Sequence, residues 1–229
     1  DSVSFMFEMS GMYNAPLPKV EQIKKPEKPE SVERILETRE VVDDPKRAEG
    51  GSNEVYFISL KDDGKGVFKP KEGELPMRDE VEAGSYFKRE RAAYLIDRML
   101  GFNFVPPTVI REVDGRVGSV QQFVVDAKSY EELFFEFFYA KFPDRTYYGG
   151  SFSLTESAAL KEEFSNLYAE QLQKLFLFDI VTWNSDRKGD NCFISKDGQP
   201  IPIDQGLCCA DTYPRFLKEF YDQSLPAEP

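Results

Sequence analysis

The chain has 229 residues, of which 41% are hydrophobic and 31% charged, and it contains no histidine. That length suffices for one sizeable domain or two small lobes around a cleft. A net charge of −12 repels nucleic acid and anionic lipid headgroups at long range, which argues against nucleic acid as a partner, and the missing histidine excludes Ser-His-Asp and Cys-His nucleophile systems.

At the N-terminus no basic stretch leads into an apolar core, so no secretory signal is read there. Nowhere does the chain approach ~20 consecutive apolar residues, so no transmembrane segment is predicted. Residues 1–45 read as an irregular extension in which Phe5-Met6-Phe7 either tucks against the body, the preferred reading, or binds a partner, and the charged, proline-rich run Lys24 to Glu30 is an extended linker. Ser31 is placed to cap a short helix over 31–40.

Residues 46–125 have a different texture. Val55 to Leu60 is rich in β formers, Asp62-Asp63-Gly64-Lys65-Gly66 is a turn, and Val67-Phe68-Lys69 begins a second strand. An acidic loop, 71–83, follows. A helix is predicted over 85–100 with Ala92, Leu95, Ile96 and Met99 as its apolar stripe and Gly101 as its stop. Thr108-Val109-Ile110, the turn Asp114-Gly115 and Gly118 to Val125 form a second hairpin. The order β-β-α-β-β is the plan of a kinase small lobe.

Residues 126–229 read as a mostly helical second lobe. Its first feature is the aromatic run Leu133-Phe134-Phe135-Glu136-Phe137-Phe138-Tyr139, which is either a buried helix or, over 133–142, a partner surface. Glu131, Glu132 and Glu136 argue against an anionic membrane as that partner. Thr155 is placed to cap a long helix reaching about 178, with Leu160, Phe164, Leu167 and Phe176 on its buried face. Two short strands, Cys192-Phe193-Ile194 and one running into Asp204, flank a turn at Asp197-Gly198. The predicted fold class is α+β, a two-lobed protein-kinase-like fold. The cysteines are Cys192, Cys208 and Cys209, an odd number with one adjacent pair. They read as reduced thiols and point to a cytoplasmic setting.

The chemistry concentrates in Asn184-Ser185-Asp186-Arg187-Lys188-Gly189-Asp190-Asn191 and Pro202-Ile203-Asp204-Gln205-Gly206. Phosphoryl transfer needs one carboxylate to orient the attacking hydroxyl, and oxygen ligands to hold Mg²⁺ on ATP. Asp186 fits the first role, and Asn191 with Asp204 the second. Taken singly these residues are ordinary turn formers; the helix before them and the strands after them fold them onto one site. Asp190 competes with Asp186 but stands only one residue from Asn191, so it reads as supporting. Lys69, embedded in an apolar strand unlike Lys61, Lys65 and Lys71, is the candidate for the α- and β-phosphates. Glu90, held between Phe87 and Tyr94, is its ion-pair partner, with Glu80 and Glu82 as weaker rivals. Gly51 and Ser52 form a candidate phosphate turn through their N–H groups, although neither G-x-G-x-x-G nor a P-loop is present. Gln122, Phe123 and Val124 lie where a hinge would hold adenine by main-chain groups.

These segments, with Val67-Phe68-Lys69-Pro70, Arg89 to Tyr94, Val105-Pro106-Pro107-Thr108, Gly118 to Val124 and Pro202 to Cys208, resemble the phosphatidylinositol 3-/4-kinase-like branch of the kinase superfamily. The nearest look is to type II and plant gamma-type phosphatidylinositol 4-kinases, over roughly 50–215 and in the family's order. The histidine of the protein-kinase motif H-R-D-x-x-x-x-N is missing, and Asp186 precedes an arginine, as in the lipid-kinase-like branch. The resemblance implies a two-lobed fold, ATP with Mg²⁺, Lys69 on phosphates, Glu90 as its acid, Asp186 as catalytic, and Asn191 and Asp204 as metal ligands. Two departures stand out. The cysteine-rich lipidation stretch of type II enzymes is missing, and the chain stops soon after Asp204, where the family carries substrate-shaping helices. Both turn the expected acceptor from a phosphoinositide toward Ser or Thr of a protein. A phosphatidylinositol 4-kinase and a nucleotide-binding pseudokinase or scaffold are the alternatives.

Overall fold

The computed structural model describes residues 31–78, 81–147, 154–184 and 186–210. Glu80, the early Phe5-Met6-Phe7 cluster and the 24–30 linker fall outside them.

The Ser31 hydroxyl accepts the N–H of Arg34 and starts α1, Val32–Thr38. This helix inserts Leu36, 1% exposed, into a core with Ile58, Leu60, Phe68, Val109, Val113 and Val120. The segment from 31 onward is thus part of the body of the small lobe. A short strand the sequence did not announce, β1 (Lys46–Arg47), pairs antiparallel with β2 (Tyr56–Leu60). Two charged residues carry no alternation from which to read it.

β2 turns into β3 (Gly64–Pro70) through Asp62 and Asp63, both left-handed at φ 59° and 61°, a conformation that Asp tolerates and tight hairpins require. Successive side chains in β3 alternate faces. Phe68 enters the core, while Val67 and Lys69 turn together toward a cleft. β4 (Thr108–Val113) and β5 (Arg116–Gln122) complete a five-stranded sheet of order β1-β2-β3-β5-β4.

Between the hairpins lies α2, Tyr86–Leu100, stopped as expected by left-handed Gly101. Its buried stripe differs from the predicted one. Tyr86, Phe87, Glu90, Ala93, Tyr94 and Asp97 face inward, whereas Leu95 is 44% and Met99 85% exposed. Apolar counting chose the wrong face because the inward stripe carries two acids with structural duties. Asp97 accepts the N–H groups of Phe104 (3.2 Å) and Val105 (3.3 Å), and Glu90 is engaged in the cleft.

The second lobe holds a three-stranded sheet, β6 (Ala127–Ser129), β7 (Cys192–Ser195) and β8 (Pro200–Pro202), in that order. Ser129 and Glu132 form a reciprocal capping box for α3, Tyr130–Lys141. The aromatic run is therefore a helix, and it is turned inward. Phe134 and Phe138 pack with Leu160 and Phe164, ringed by edge-on contacts to Tyr147, so these rings are occupied in the core.

The single long helix predicted from Thr155 is two helices, α4 (Leu154–Leu167) and α5 (Ala169–Thr182). Tyr168 breaks them at φ −120°, ψ 22°. The break resets the phase. Leu160 and Phe164 are buried as predicted, but Leu167 and Phe176 are 62% and 59% exposed, and Leu175, Phe178, Asp179 and Thr182 face inward instead. The helix already begins at Leu154, so Thr155 lies within its first turn rather than at its cap. No helix among the described residues is long and apolar enough to cross a membrane.

Where β5 passes β3 the backbones approach closely. A Cβ on Gly118 would lie 2.3 Å from the Lys69 carbonyl oxygen and 2.8 Å from Pro70 Cα. Gly118→Ala is expected to lower stability by about 1–3 kcal/mol through overpacking, read as a fall in the urea midpoint with the slope unchanged.

Candidate active site

A cavity of about 570 Å³ opens between the two sheets. Gly51, Ser52, Val67 and Lys69 line it from the small lobe, and Glu90 from α2. Gln122, Phe123 and Val124 line the connection out of β5, and Asp186, Asn191 and Asp204 line it from the second lobe. The residues first in line for catalysis, nucleotide and metal thus line one space.

Lys69 stands at the centre. Its Nζ donates to Glu90 Oε1 and, at 2.7 Å, to Asp204 Oδ1. Glu82 is exposed and takes no part in this pairing. Burial pulls the Lys69 ammonium toward deprotonation, but the charges of Asp204 and Glu90 together overcome it and hold the pKa above its ordinary value. The ammonium in turn holds Asp204 below the usual carboxylate range. Burial pushes Glu90 upward, against the opposing pull of Lys69. Glu90 Oε2 accepts the Gln205 N–H at 3.0 Å, so this one carboxylate joins β3, α2 and the segment after β8.

Asp186 starts the loop after α5. Its N–H donates to Asn184 Oδ1 at 3.0 Å, and its two oxygens meet Arg78 Nη2 at 3.1 Å and Lys188 Nζ at 2.9 Å. Its hydrogen bond to Lys188 raises that ammonium's pKa. Asp190 lies in the one-turn 3₁₀ helix Gly189–Asn191 and is exposed on the cavity rim.

Arg187 holds the loop in shape. It forks onto both oxygens of Asp179 in α5, at 2.9 and 3.1 Å. It also donates to the carbonyls of Asn191 and Ile203 and to Gln205 Oε1. Asn184 Nδ2 donates to the same Gln205 oxygen at 3.0 Å. Spacing analysis missed Arg78, Asp179, Asn184, Arg187 and Gln205. The one available signal was the arginine adjoining Asp186.

Two oxygen donors face the cavity as a candidate metal pair. Asn191 is nearly buried, and its carboxamide makes no hydrogen bond among the described residues. Asp204 is left-handed at φ 57°, a sparsely populated state that turns the chain at this point. No trio of His, Cys, Asp and Glu among the described residues forms a dedicated cage. An amide and a carboxylate fit Mg²⁺, which takes few protein oxygens and completes its shell from phosphates and water.

Gly50 and Gly51 are both left-handed, at φ 81° and 79°, which gives the turn before β2 its shape. The N–H groups of Gln122 and Phe123 are engaged within the sheet, on Pro107 and Lys65 carbonyls. Val124 is the first residue beyond those two bonds.

The sequence profile of the family described as phosphatidylinositol 3- and 4-kinase matches residues 80–227. The chain belongs to that family. The match includes Glu90, Asp186, Asn191 and Asp204 and begins beyond Lys69. Protein Rv2133c of Mycobacterium tuberculosis is 32% identical over 148 residues, covering 62% of this chain and 53% of its own length. Phosphatidylinositol 4-kinase gamma 4 of Oryza sativa subsp. japonica is 26% identical over 200 residues, covering 71% of this chain and 30% of its own. The chain thus spans about half or less of these curated relatives. The Helicobacter pylori proinflammatory kinase CtkA superposes with a TM-score of 0.51 at 13% identity, over 82% of this chain and 66% of that one. This member of the family has the two-lobed kinase-like fold.

The three thiols are free, and they differ. The Cys208 S–H lies 3.6 Å from Cys209 Sγ. That contact holds the Cys209 thiol down to about 7 against burial, helped by Arg89, while burial pushes Cys192 up to about 11. Iodoacetamide is therefore expected to label Cys209 first, its rate rising through about pH 7 as the thiolate forms, with Cys192 unlabelled; peptide mass spectrometry across pH 5–9 checks this.

Removing Arg187 would leave Asp179 as a buried charge without its fork. Arg187→Ala is expected to cost about 3–5 kcal/mol of stability in chemical denaturation. Asp179→Asn combined with it should cost less than the sum of the two single changes.

Proposed function

We propose that this protein is an ATP- and Mg²⁺-dependent kinase that passes the γ-phosphoryl group to a hydroxyl acceptor, with a small lobe running from residue 31 to about 125 and a second lobe from 126 onward that meet over the nucleotide. One observation carries the reading. An ammonium from the small lobe, Lys69, lies 2.7 Å from a second-lobe carboxylate, Asp204, in the cavity that also receives Asp186 and Asn191.

Adenine stacks against the connection after β5 and is read by main-chain groups at Gln122, Phe123 and Val124. With two of those N–H groups engaged in the sheet, Val124 is the donor. The triphosphate runs under Gly51 and Ser52, and the Lys69 ammonium binds the α- and β-phosphates, with Glu90 fixing its position. Asn191 and Asp204 would hold Mg²⁺, which would supply neutralisation of phosphate charge. Asp186 receives the acceptor hydroxyl. The new bond joins the hydroxyl oxygen to Pγ, the bond from Pγ to the bridging oxygen breaks with its electron pair leaving on ADP, and the hydroxyl proton passes to Asp186. Most of the rate then comes from positioning and charge, because little covalent chemistry falls to the protein.

The acceptor we favour is Ser or Thr of a protein. The net charge of −12 opposes approach to an anionic bilayer, and that charge is the feature that decides. The specific observation on the other side is the similarity to phosphatidylinositol 4-kinase gamma 4 of Oryza sativa subsp. japonica. A pseudokinase is disfavoured by the presence of all five polar groups around one cavity.

Purified protein with labelled Mg-ATP, mixed protein acceptors and phosphatidylinositol vesicles tests the reading, with products resolved by gel and by thin-layer chromatography. Label is expected on protein. Label on lipid alone would replace the acceptor, and nucleotide binding without any transfer would establish the pseudokinase. Asp186→Ala is expected to keep ATP affinity and lose turnover by about 10²–10⁴-fold, whereas Asp204→Ala loses Mg²⁺-dependent nucleotide binding in calorimetry.

A further inference from the structure

One cation that reaches Asp186 at the edge of the cleft has no part in the scheme above. Arg78 leaves the acidic segment after β3 and brings Nη2 to 3.1 Å from Asp186 Oδ1, while Lys188 Nζ holds Oδ2 at 2.9 Å. Both oxygens of the proton-accepting carboxylate are therefore bound by cations. An acceptor hydroxyl needs one of them.

The backbone that carries Arg78 is fixed. The Tyr86 hydroxyl accepts the Met77 N–H and donates to the Leu75 carbonyl, each at 3.1 Å. The Arg78 carbonyl accepts the Val81 N–H at 3.3 Å, and Val81, 2% exposed, packs with Tyr86 and Leu207. Glu74 receives the N–H groups of Gly84, Tyr86 and Phe87 at the start of α2. Arg78 is thus anchored to the helix that bears Glu90. Its side chain is 44% exposed, at the solvent edge of the cleft. A guanidinium keeps its proton throughout the working pH range and matches phosphate oxygens with a two-pronged fork. A γ-phosphate carries more charge than a carboxylate and competes for that fork.

We propose that Arg78 is a further catalytic residue: on nucleotide binding its guanidinium passes from Asp186 to the γ-phosphoryl oxygens, which frees Asp186 for the acceptor hydroxyl and stabilises the charge of the transferring group. The proposal rests on the kinase reading above. The bonds made and broken are those given there. Arg78 stays protonated and forms no covalent bond.

The test compares wild type with R78Q, R78K and R78A under Mg-ATP. The expected result is a kcat about 10³-fold lower in R78Q, with the KM for ATP and the thermal midpoint little changed. R78K should recover part of the rate, because a lysine supplies the charge without the fork. Guanidinium chloride at millimolar levels is expected to restore turnover to R78A but not to Asp186→Ala. ADP with aluminium fluoride should bind wild type more tightly than ADP alone, and R78Q should lose that gain. A wild-type rate in R78Q overturns the proposal, and so does a raised rate, which would make Arg78 a latch on Asp186. Loss of turnover together with a lowered thermal midpoint, unrescued by guanidinium, overturns it in favour of a structural role. An inert wild type sinks the kinase reading and the proposal with it, whereas an active wild type beside an unaffected R78Q sinks the proposal alone.

Discussion

Glu90 is a carboxylate almost without solvent, and the geometry of the cleft depends on how its charge is matched. One oxygen receives Lys69 from the sheet, and the other receives the main chain at Gln205. Burying such a charge is unfavourable unless ammonium and amide donors satisfy it, and a half-satisfied arrangement would be worse than an apolar one. The small-lobe strand, the helix and the segment after β8 are therefore held in one arrangement by a single side chain. Lys69, shared between Glu90 and Asp204, carries the link across to the second lobe.

The catalytic loop is organised in the same way. Its shape comes from Arg187, which gathers a carboxylate of α5, two carbonyls and a carboxamide around one planar cation. Asp186 and Asn191 flank it in sequence and take their positions from it. The residues that touch substrate in the proposed scheme are few, and a larger set of buried polar groups aims them.

Much of this was legible in the sequence, and the reasons are physical. Asp186, Asn191 and Asp204 announce themselves because oxygen ligands at fixed intervals between short apolar strands have few other uses. Lys69 stands out because a strand alternates its faces, so a lysine in an apolar run points somewhere particular. The hairpins were readable from Asp62-Asp63 and Asp114-Gly115, residues that accept left-handed backbone. The phase of α2 was not, because Glu90 and Asp97 lie on its inward stripe and apolar counting penalises them. The break at Tyr168 carries no Gly or Pro to mark it. β1 and β6 are too short for alternation, so they exist through pairing with β2 and β7 rather than through their own residues. Arg78 was invisible for a related reason. One cation in an acidic loop looks like solvent-facing balance until Tyr86 and Val81 are seen to fix its backbone.

Asp179, Asn184, Arg187 and Gln205 are linked to one another in a single network of donors and acceptors. The exchange of any one strands a partner away from water, so none can drift alone at low cost. Across relatives these four positions should therefore change together or not at all. A concerted replacement there would mark a lineage that had rebuilt the base of its catalytic loop.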